Sequence, residues 1–413
     1  PGEFVRMQTR RMESLRDGPS LPPHAATPPV WGELPALPRP DPPPGRAGVC
    51  VVGGGISGVA ALHWCRARDL DAVLLERRHL AAGASGRNAG FLLAGVAENY
   101  ARAAAAHGRD LATAVWHFTR ENHRLVRSLI ATADVGYARR GSWTLAASAA
   151  EAESLKQAAT LLAEDGLPGR WTRDLPERLA HLQGGLFTPD DGEVDPVRLV
   201  AAIAAPLRSR IFEGVEVRAL IPGGAEVVVR HSRGELRATR VIIATNAHAS
   251  ELVPAIPIAP VRAQMLATAA DHGASLGPPA YAEWGYRYWR QLSDGRVLLG
   301  GMRHRARAEE VGTVSRPTAT IQTLLDGELR DLRVTAPVGH RWAGIIGFSP
   351  DGLPLAGPLS SSPGVLLLGG YTGHGMGFAV NAARALVAHL VDGTPIPGWL
   401  DPARALPGPG DAV

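Results

Sequence analysis

The chain has 413 residues, of which 45% are hydrophobic and 20% charged, and its formal net charge is +4. This size and composition suffice for a large core and indicate two domains. No apolar run reaches the roughly 18 residues that span a bilayer, so we expect no membrane insertion. The basic residues are scattered along the sequence rather than grouped, and we therefore expect no nucleic-acid partner.

Two cysteines, Cys50 and Cys65, are present, which is too few for a disulfide framework. Both lie in apolar segments, so we expect buried thiols and a cytoplasmic, reducing location. Lys156 is the only lysine, and almost all the positive charge is arginine.

The two ends of the chain look separate from the folded part. Residues 1–4 precede the first methionine, and we interpret them as a cloning remnant. Up to residue 46 the chain is rich in proline and arginine, which predicts an extended or disordered arm. No apolar segment follows Arg10 and Arg11, so a twin-arginine export signal is not predicted. Residues 401–413 are expected to form a tail.

The folded part begins with a strand–turn–helix–strand pattern. The run VCVVGGG at 49–55 predicts a buried strand that enters a glycine turn, ISGVAALHWCRARDL predicts a helix, and AVLLE at 72–76 predicts a second buried strand. This order is typical of a βαβ unit with a parallel sheet.

Later segments add helices and a second set of strands. Residues 98–133 and 151–165 have helical periodicity, whereas 213–247 and 281–302 have the pattern of strands. We predict an α/β protein, α+β overall, in which a Rossmann-type domain with a parallel sheet is interleaved with a substrate domain built on a mostly antiparallel sheet. The predicted nucleotide domain comprises residues 47–140, 192–252 and 340–400, and the substrate domain comprises 141–191 and 253–339.

Gly53, Gly55 and Gly58 form a G-x-G-x-x-G motif between the first strand and the helix. The first glycine permits a tight turn, the second lets a pyrophosphate approach, and the third lets helix and strand pack closely. Glu76 ends the next strand, where a carboxylate can bind a ribose hydroxyl. The motif in this context predicts a dinucleotide site but does not distinguish FAD from NAD.

Several further segments resemble the D-amino acid oxidase and glycine oxidase superfamily of FAD-dependent oxidoreductases. They are LLERRHLAAGASGRNAGF, FTPDDGEVDPVRLVAAIA, RVIIATNAHAS, GYRYWRQLSDGRVLLGG, RWAGIIGFSPDGLPLAGP and LLLGGYTGHGMGFAVNAA. The resemblance covers about 48–392, and PPVWGELPALPRP before it resembles the start of γ-glutamylputrescine oxidase-like members. FAD is therefore the implied cofactor, and no metal is expected.

The resemblance implies cofactor-binding positions in several glycine-rich loops, because a flat flavin ring requires close approach of the backbone. These positions are Gly53, Gly55, Ile56, Ser57, Gly58, Glu76, Arg77, Ala84, Ser85, Arg87, Asn88, Ala89, Gly90, Val217, Ala244, Thr245, Asn246, Gly344, Gly370, Thr372, Gly373, His374, Gly375, Met376 and Gly377.

Departures from relatives indicate a non-covalent cofactor. Sarcosine oxidase-like members attach flavin through a cysteine where this chain has Gly344, and dimethylglycine dehydrogenase-like members use a histidine where it has Arg87. Sarcosine oxidase-like members also place a lysine over the flavin to promote reaction with oxygen. Lys156 lies in a helix with a solvated face, so another cation (His304, Arg303 or His374) or another electron acceptor is required.

The resemblance also bears on the substrate. Amino acid oxidases hold the substrate carboxylate with the arginine of W-A-G-L-R-P, and the matching residue here is Ile346. Isoleucine cannot bind a carboxylate in this way, which argues against a simple α-amino acid. Three arginines on other strands remain alternative carboxylate anchors: Arg290, Arg296 and Arg303.

Strand alternation places Trp284, Tyr286 and Tyr288 on one face of a strand, with Glu283 and Trp289 on the other. They form either an aromatic wall that binds an amine by cation–π attraction or a core-packing face. His374 is either a donor to the flavin edge or a structural histidine. The candidate catalytic residues are His374, Tyr288, Tyr286, Trp284, Arg303 and His304.

The function that the resemblance implies is oxidation of the C–N bond of an amine by hydride transfer to FAD, with hydrolysis of the resulting imine. This chemistry needs no strong catalytic base. The electron acceptor is O₂ or another molecule, and the oligomeric state stays open. The alternatives are an amino acid oxidase or dehydrogenase with a different carboxylate anchor, a flavin monooxygenase and an RNA-modifying oxidase.

Overall fold

The computed structural model describes residues 20–35 and 41–406. Its helices are α1 (Ile56–Arg66), α2 (Tyr100–His107), α3 (Arg109–Leu129), α4 (Ala149–Glu164), α5 (Pro196–Ala204), α6 (Ala319–Asp331) and α7 (Gly375–Asp392). Its strands are β1 (Arg46–Val52), β2 (Ala72–Glu76), β3 (Phe91–Leu92), β4 (Ser142–Leu145), β5 (Arg170–Thr172), β6 (Gly185–Thr188), β7 (Gly192–Glu193), β8 (Ile211–Glu213), β9 (Val217–Gly223), β10 (Glu226–His231), β11 (Gly234–Ile243), β12 (Ala259–Ala270), β13 (Ala280–Ala282), β14 (Arg287–Gln291), β15 (Arg296–Gly301), β16 (Val338–Phe348), β17 (Leu355–Pro358) and β18 (Val365–Gly369).

The first sheet has the strand order β17-β18-β11-β1-β2-β8, with β10 and β9 added beside β11. The pairs β18–β11, β11–β1, β1–β2 and β2–β8 are all parallel. Helices α1 and α7 pack on one another and on this sheet, so β1 and β2 are buried and consist of apolar runs. The predicted Rossmann-type parallel sheet is confirmed.

The second sheet has the order β16-β12-β15-β14-β13-β4-β6-β5. Its pairs are antiparallel except for β13–β4, as the sequence predicts for the substrate domain. Most of β16 falls in the segment predicted for the nucleotide domain, but the strand pairs along its length with β12 of this second sheet. The two strands share long apolar stretches, which the local pattern could not assign to one sheet or the other.

A glycine interrupts the predicted helix over 98–133. Gly108 has φ +88°, a conformation that favours glycine, and it separates α2 from α3. Asn99 caps α2 by accepting a hydrogen bond from the Arg102 N–H, and Ser148 caps α4 by accepting one from the Glu151 N–H.

The described part of the proline-rich arm, residues 20–35, has no helix or strand and lies along β16. The Leu21 N–H donates to the Val338 carbonyl at 2.9 Å, and the Trp31 indole N–H donates to the Asn88 carbonyl at 2.8 Å. The arm therefore connects the second sheet to the loop 84–90. Residues 1–19, 36–40 and 407–413, on which the remnant and much of the tail prediction fall, lie outside the described residues.

Both cysteine thiols are buried and unpaired, and burial raises the pKa of Cys50 and of Cys65 to about 12. Lys156 lies on the surface, where its ammonium is 3.2 Å from a Glu153 carboxylate oxygen. Within residues 20–35 and 41–406, no helix is long and apolar enough to cross a membrane.

Candidate active site

A cavity of about 1360 Å³ is lined by residues of both large sheets and of the loops between them. Ligand pockets commonly measure roughly 300–1,000 Å³, so this one has room for a dinucleotide together with a small substrate. Glu76 lines it at the carboxyl end of β2, and Tyr286 lines it beside β14.

At the first end of the cavity, the turn after β1 lies against Glu76. The Gly54 N–H donates to Glu76 Oε2 at 2.6 Å, and the Arg78 N–H donates to Glu76 Oε1 at 2.7 Å. Gly53 has φ +110°, and a Cβ there would be 2.8 Å from the Ala244 carbonyl oxygen. Only glycine fits this turn, which fixes the carboxylate beside the start of α1.

Helix α1 begins at Ile56 and has no side-chain N-cap of its own. Its first N–H donates to the Ser85 hydroxyl at 2.9 Å, and a Cβ on Gly55 would be 2.9 Å from that same oxygen. The loop after β2 thus approaches the helix N-terminus, where an anion such as a pyrophosphate is stabilised. Gly58 does not line the cavity; it packs against Gly53, in agreement with the role of a third glycine.

The loop 84–90 is shaped by Asn88. The Asn88 amide N–H₂ donates to the carbonyls of Ala84 and Ser85 at 3.1 and 2.9 Å, and its oxygen accepts from the Gly90 N–H at 2.7 Å. Gly90 itself lies outside the cavity lining, because its Cα faces the Val194 carbonyl, from which a Cβ would be only 2.1 Å away.

The C-terminal glycine turn completes the cavity. The Gly370 N–H donates to Asn246 Oδ1 at 2.9 Å, so Gly370 supports the loop without lining the cavity. The Tyr371 and Ser57 hydroxyls are 2.8 Å apart and connect this turn to α1. Helix α7 begins directly after His374 without a side-chain cap, and its first residues line the cavity.

The polar groups that line the cavity fit a flavin dinucleotide. Thr245 Oγ1 and His374 Nδ1 are buried and lack a hydrogen-bond partner in the part of the chain that the structure describes. Both residues line the cavity, Thr245 next to the Gly53 turn and His374 at the N-terminus of α7, where N–H groups and a positive helix end stabilise the negative edge of a reduced flavin. Of the predicted cofactor positions, all except Gly58, Gly90 and Gly370 line the cavity.

The predicted aromatic wall is present, but strand alternation does not produce it. Trp284 lies in the turn of the β13–β14 hairpin with φ +56°, whereas Tyr288 lies within β14. Trp284, Tyr286 and Tyr288 all line the cavity, and Trp289 is buried in the core of the second sheet. The turn brings Trp284 to the cavity rim, which a continuous strand would not do.

The protein's own arginines cover two of these rings. The Arg102 guanidinium carbon is 4.7 Å from the Trp284 ring centroid, and those of Arg303 and Arg307 are 5.1 and 5.4 Å from the Tyr286 ring. Guanidinium groups therefore already make cation–π contacts with Trp284 and Tyr286, and the binding of a substrate ammonium by these rings stays a prediction.

The structure separates the three residues that the sequence suggested as a cation to promote the reaction with oxygen. His304 does not line the cavity, and its Nε2 is 3.1 Å from a Glu283 oxygen. Burial lowers the pKa of His374 to about 4, so this residue is neutral at physiological pH. Of these three residues, only Arg303 is a cation that lines the cavity.

The three arginines considered as alternative carboxylate anchors also differ in whether they line the cavity. Arg290 is buried and donates to the carbonyls of Gly90 and Val194, and Arg296 pairs with Asp294 at 2.7 Å. Neither lines the cavity, whereas Arg303 and Ile346 do.

Several residues that line the cavity were not predicted from the sequence. The Tyr281 ring stacks on His374 with the centroids 5.9 Å apart. Tyr281 lies on β13, which pairs with β14, so the hairpin pattern was a signal that could have found it. No sequence pattern pointed to Arg102 on α2, because its approach to the cavity depends on how the helix packs. Arg307 and Phe348 also line the cavity, and the sequence did not predict either of them as a site residue.

The fold and the cavity define a flavin-dependent oxidoreductase. The model of the FAD dependent oxidoreductase (DAO) family matches residues 48–389. The chain belongs to this family, and it acts on the C–N bond of amines or amino acids.

Three known proteins illustrate the similarity. A probable oxidoreductase, OrdL, of Rhizobium meliloti is 26% identical, over 84% of this chain and 83% of its own. The gamma-glutamylputrescine oxidoreductase of Escherichia coli is 27% identical, over 84% and 83%. The crystal structure of glycine oxidase from Geobacillus kaustophilus shares the fold with a TM-score of 0.73 and 24% identity, over 86% of this chain and 96% of that one.

Replacing Glu76 should weaken FAD binding. We expect Glu76→Ala to lower FAD affinity roughly 10- to 100-fold, because a charged hydrogen bond is worth about 1.5–3 kcal/mol and the Gly54 turn loses its acceptor. FAD binding to the apoprotein, measured by fluorescence quenching, gives the affinity. Glu153→Ala, which changes a surface carboxylate, is the control. Equal affinities of Glu76→Ala and the parent would refute the assignment.

The cofactor should be released intact on denaturation. A Cβ on Gly344 would lie 3.1 Å from the Arg87 Cβ, so the two positions that carry covalent attachment in relatives face each other here without a cysteine or histidine. We expect acid precipitation to leave a colourless pellet and all of the flavin as FAD in the supernatant. Yellow protein in the pellet would show that a covalent bond exists.

Proposed function

We propose that the enzyme oxidises a primary or secondary amine that has no carboxylate on the carbon next to the nitrogen. The observation that carries this proposal is the position of Ile346. Gly344, Ile346 and Phe348 follow one another at every second residue of β16, and all three line the cavity. At the position where amino acid oxidases have an arginine, the cavity wall is therefore apolar.

FAD, when bound, accepts the hydride from the carbon beside the amine nitrogen. The protein residues must orient that carbon and keep the nitrogen unprotonated. Apolar surroundings favour the neutral amine, because burial away from water lowers the pKa of an ammonium group. Phe91, Tyr281 and Tyr288 pack edge-on or tilted against one another and form an apolar wall that excludes water.

His374 supports this chemistry as a neutral group. Its ring stacks on Tyr281, and its buried Nδ1 has no partner in the described residues. The ring can therefore accept or donate one hydrogen bond to a bound molecule without adding a charge.

An anaerobic screen tests the proposed function. The holoenzyme is mixed with amines and α-amino acids without oxygen, and loss of the oxidised flavin band is followed before air is admitted. We expect amines to bleach the flavin. Bleaching by NADH alone would instead indicate a flavin monooxygenase, and salt-sensitive RNA binding without bleaching by amines would indicate an RNA-modifying enzyme.

Two further points belong to the proposal. We place the enzyme in the cytoplasm, which the unpaired buried thiols of Cys50 and Cys65 support, since oxidising compartments favour disulfides. The electron acceptor is O₂ or a second molecule, and admission of air in the screen separates the two: rapid return of the flavin band indicates an oxidase.

A further inference from the structure

Arg303 is a cation held in the cavity by aromatic rings. It follows β15 after Met302, whose left-handed backbone, with φ +63°, turns the chain there. The Arg303 guanidinium carbon is 4.6 Å from the Phe348 ring centroid and 5.1 Å from that of Tyr286. These rings fix the direction of the side chain and leave its N–H edge for another partner.

No protein carboxylate serves as that partner among residues 20–35 and 41–406, where Arg303 makes no ion pair or side-chain hydrogen bond. Glu310, the nearby buried acid, is fully used, because its oxygens accept from Arg262 at 2.8 and 3.0 Å and from Gln264 at 2.9 Å. Burial lowers the pKa of Arg303, and Arg307 lowers it further, while Tyr286 opposes this.

Arg307 adds to the positive electrostatic potential around Arg303. Its guanidinium donates to the Tyr286 hydroxyl at 2.9 Å, so Arg303 and Arg307 both approach the ring of one tyrosine. Two guanidinium groups without a carboxylate between them repel each other, and an anion placed at their N–H edges would relieve this repulsion.

Arg303 stacks on the last residue of β16, Phe348, and this position sets the length of the ligand. Gly344 faces Arg87 of the loop 84–90, Ile346 follows two residues later, and the Phe348 ring lies against the Arg303 guanidinium. A strand rises about 3.3 Å per residue, so the arginine stacks about 7 Å beyond position 346, away from Gly344. An anion bound there lies further from the loop 84–90 than a carboxylate held at position 346 would, by about two residues of an extended strand.

We propose that Arg303, with Arg307 beside it, binds a carboxylate at the far end of the substrate, which is therefore an amino carboxylate with several carbons between its two groups. The proposal rests on the proposed amine oxidation. Arg303 is the residue that determines this specificity, and it replaces the charge that relatives carry at the position of Ile346.

Binding and turnover of matched probes test this inference on the holoenzyme. Pentanoate, which cannot be oxidised as an amine, is titrated against the flavin absorption spectrum. Turnover is compared for 5-aminopentanoate, for butylamine without a carboxylate and for glycine with an α-carboxylate. The variant is Arg303→Met, and the matched control is Arg305→Met, because Arg305 is exposed, pairs with Glu283 at 3.0 Å and does not line the cavity.

We expect Arg303→Met to weaken pentanoate binding about 10- to 100-fold, because charge-assisted hydrogen bonds are lost. The variant should lower kcat/KM for 5-aminopentanoate by a similar factor. Butylamine turnover should stay within a few-fold of the parent rate, and Arg305→Met should match the parent.

Equal pentanoate binding by parent and Arg303→Met would overturn the inference, as would glycine turnover that exceeds that of 5-aminopentanoate. Sulfate that competes as well as pentanoate would also overturn it. Arg303-dependent pentanoate binding without bleaching by any amine would support the carboxylate site and refute only the proposed amine oxidation.

Discussion

Gly58→Ala is expected to yield protein that retains little FAD. A Cβ at this position would be 1.8 Å from the Gly53 carbonyl oxygen, far inside contact distance, and both partners are backbone groups that cannot rotate away. The start of α1 must then move relative to the turn that receives the pyrophosphate. Overpacking of this kind costs about 3 kcal/mol or more, which is roughly a 100-fold loss in affinity if it falls on the FAD-binding conformation.

The measurement for this variant is the ratio of flavin to protein after purification, together with FAD affinity of the apoprotein. Gly45→Ala is the matched control, because a Cβ at Gly45 meets no atom within 4 Å and the residue lies directly before β1. We expect parental FAD content for Gly45→Ala. Full FAD occupancy in Gly58→Ala would contradict the role of this glycine in the dinucleotide site.

Ile346→Arg is expected to lower the rate of flavin reduction by amines at least 100-fold. The new guanidinium would enter a cavity that already holds Arg303, near the Gly373 turn, where a Cβ added to Gly373 would lie 4.0 Å from Ile346 Cδ1. A buried cation without a partner costs about 3–5 kcal/mol, and the added charge also repels any ammonium form of the substrate. An α-carboxylate could neutralise it, so weak activity on amino acids should arise at the same time.

The rate is measured by anaerobic stopped flow with butylamine and with glycine. Ile221→Arg is the control, since Ile221 is an exposed residue of β9 that does not line the cavity, and this variant should react like the parent. Unchanged amine reduction by Ile346→Arg would show that residue 346 does not face the reacting part of the substrate.

The sequence was most informative where local chemistry dictates structure. The βαβ unit, the glycine turn after Val52 and the carboxylate of Glu76 follow from residue types and spacing within a short segment, and the structure brings them together. Asn88 was predicted as a cofactor residue, and it does line the cavity, but its hydrogen bonds also show that it shapes the loop.

The substrate part of the cavity was harder to predict, because it depends on long-range packing. That Arg303 stacks on Phe348 requires β15 and β16 to lie on either side of β12, which no local pattern reveals. His304 and Arg303 are neighbours in sequence, but only Arg303 lines the cavity, because the turn after Met302 sends their side chains in different directions. Trp284 reaches the rim through a hairpin turn, not through strand alternation.

The most direct test of the central claim is the rate of flavin reduction in the parent holoenzyme under anaerobic conditions, measured with an amine that has no α-carboxylate and with glycine. An apolar Ile346 at the position of the family arginine predicts that the amine reduces the flavin faster. Rapid reduction by glycine and none by amines, including 5-aminopentanoate, would contradict the account and identify an amino acid oxidase.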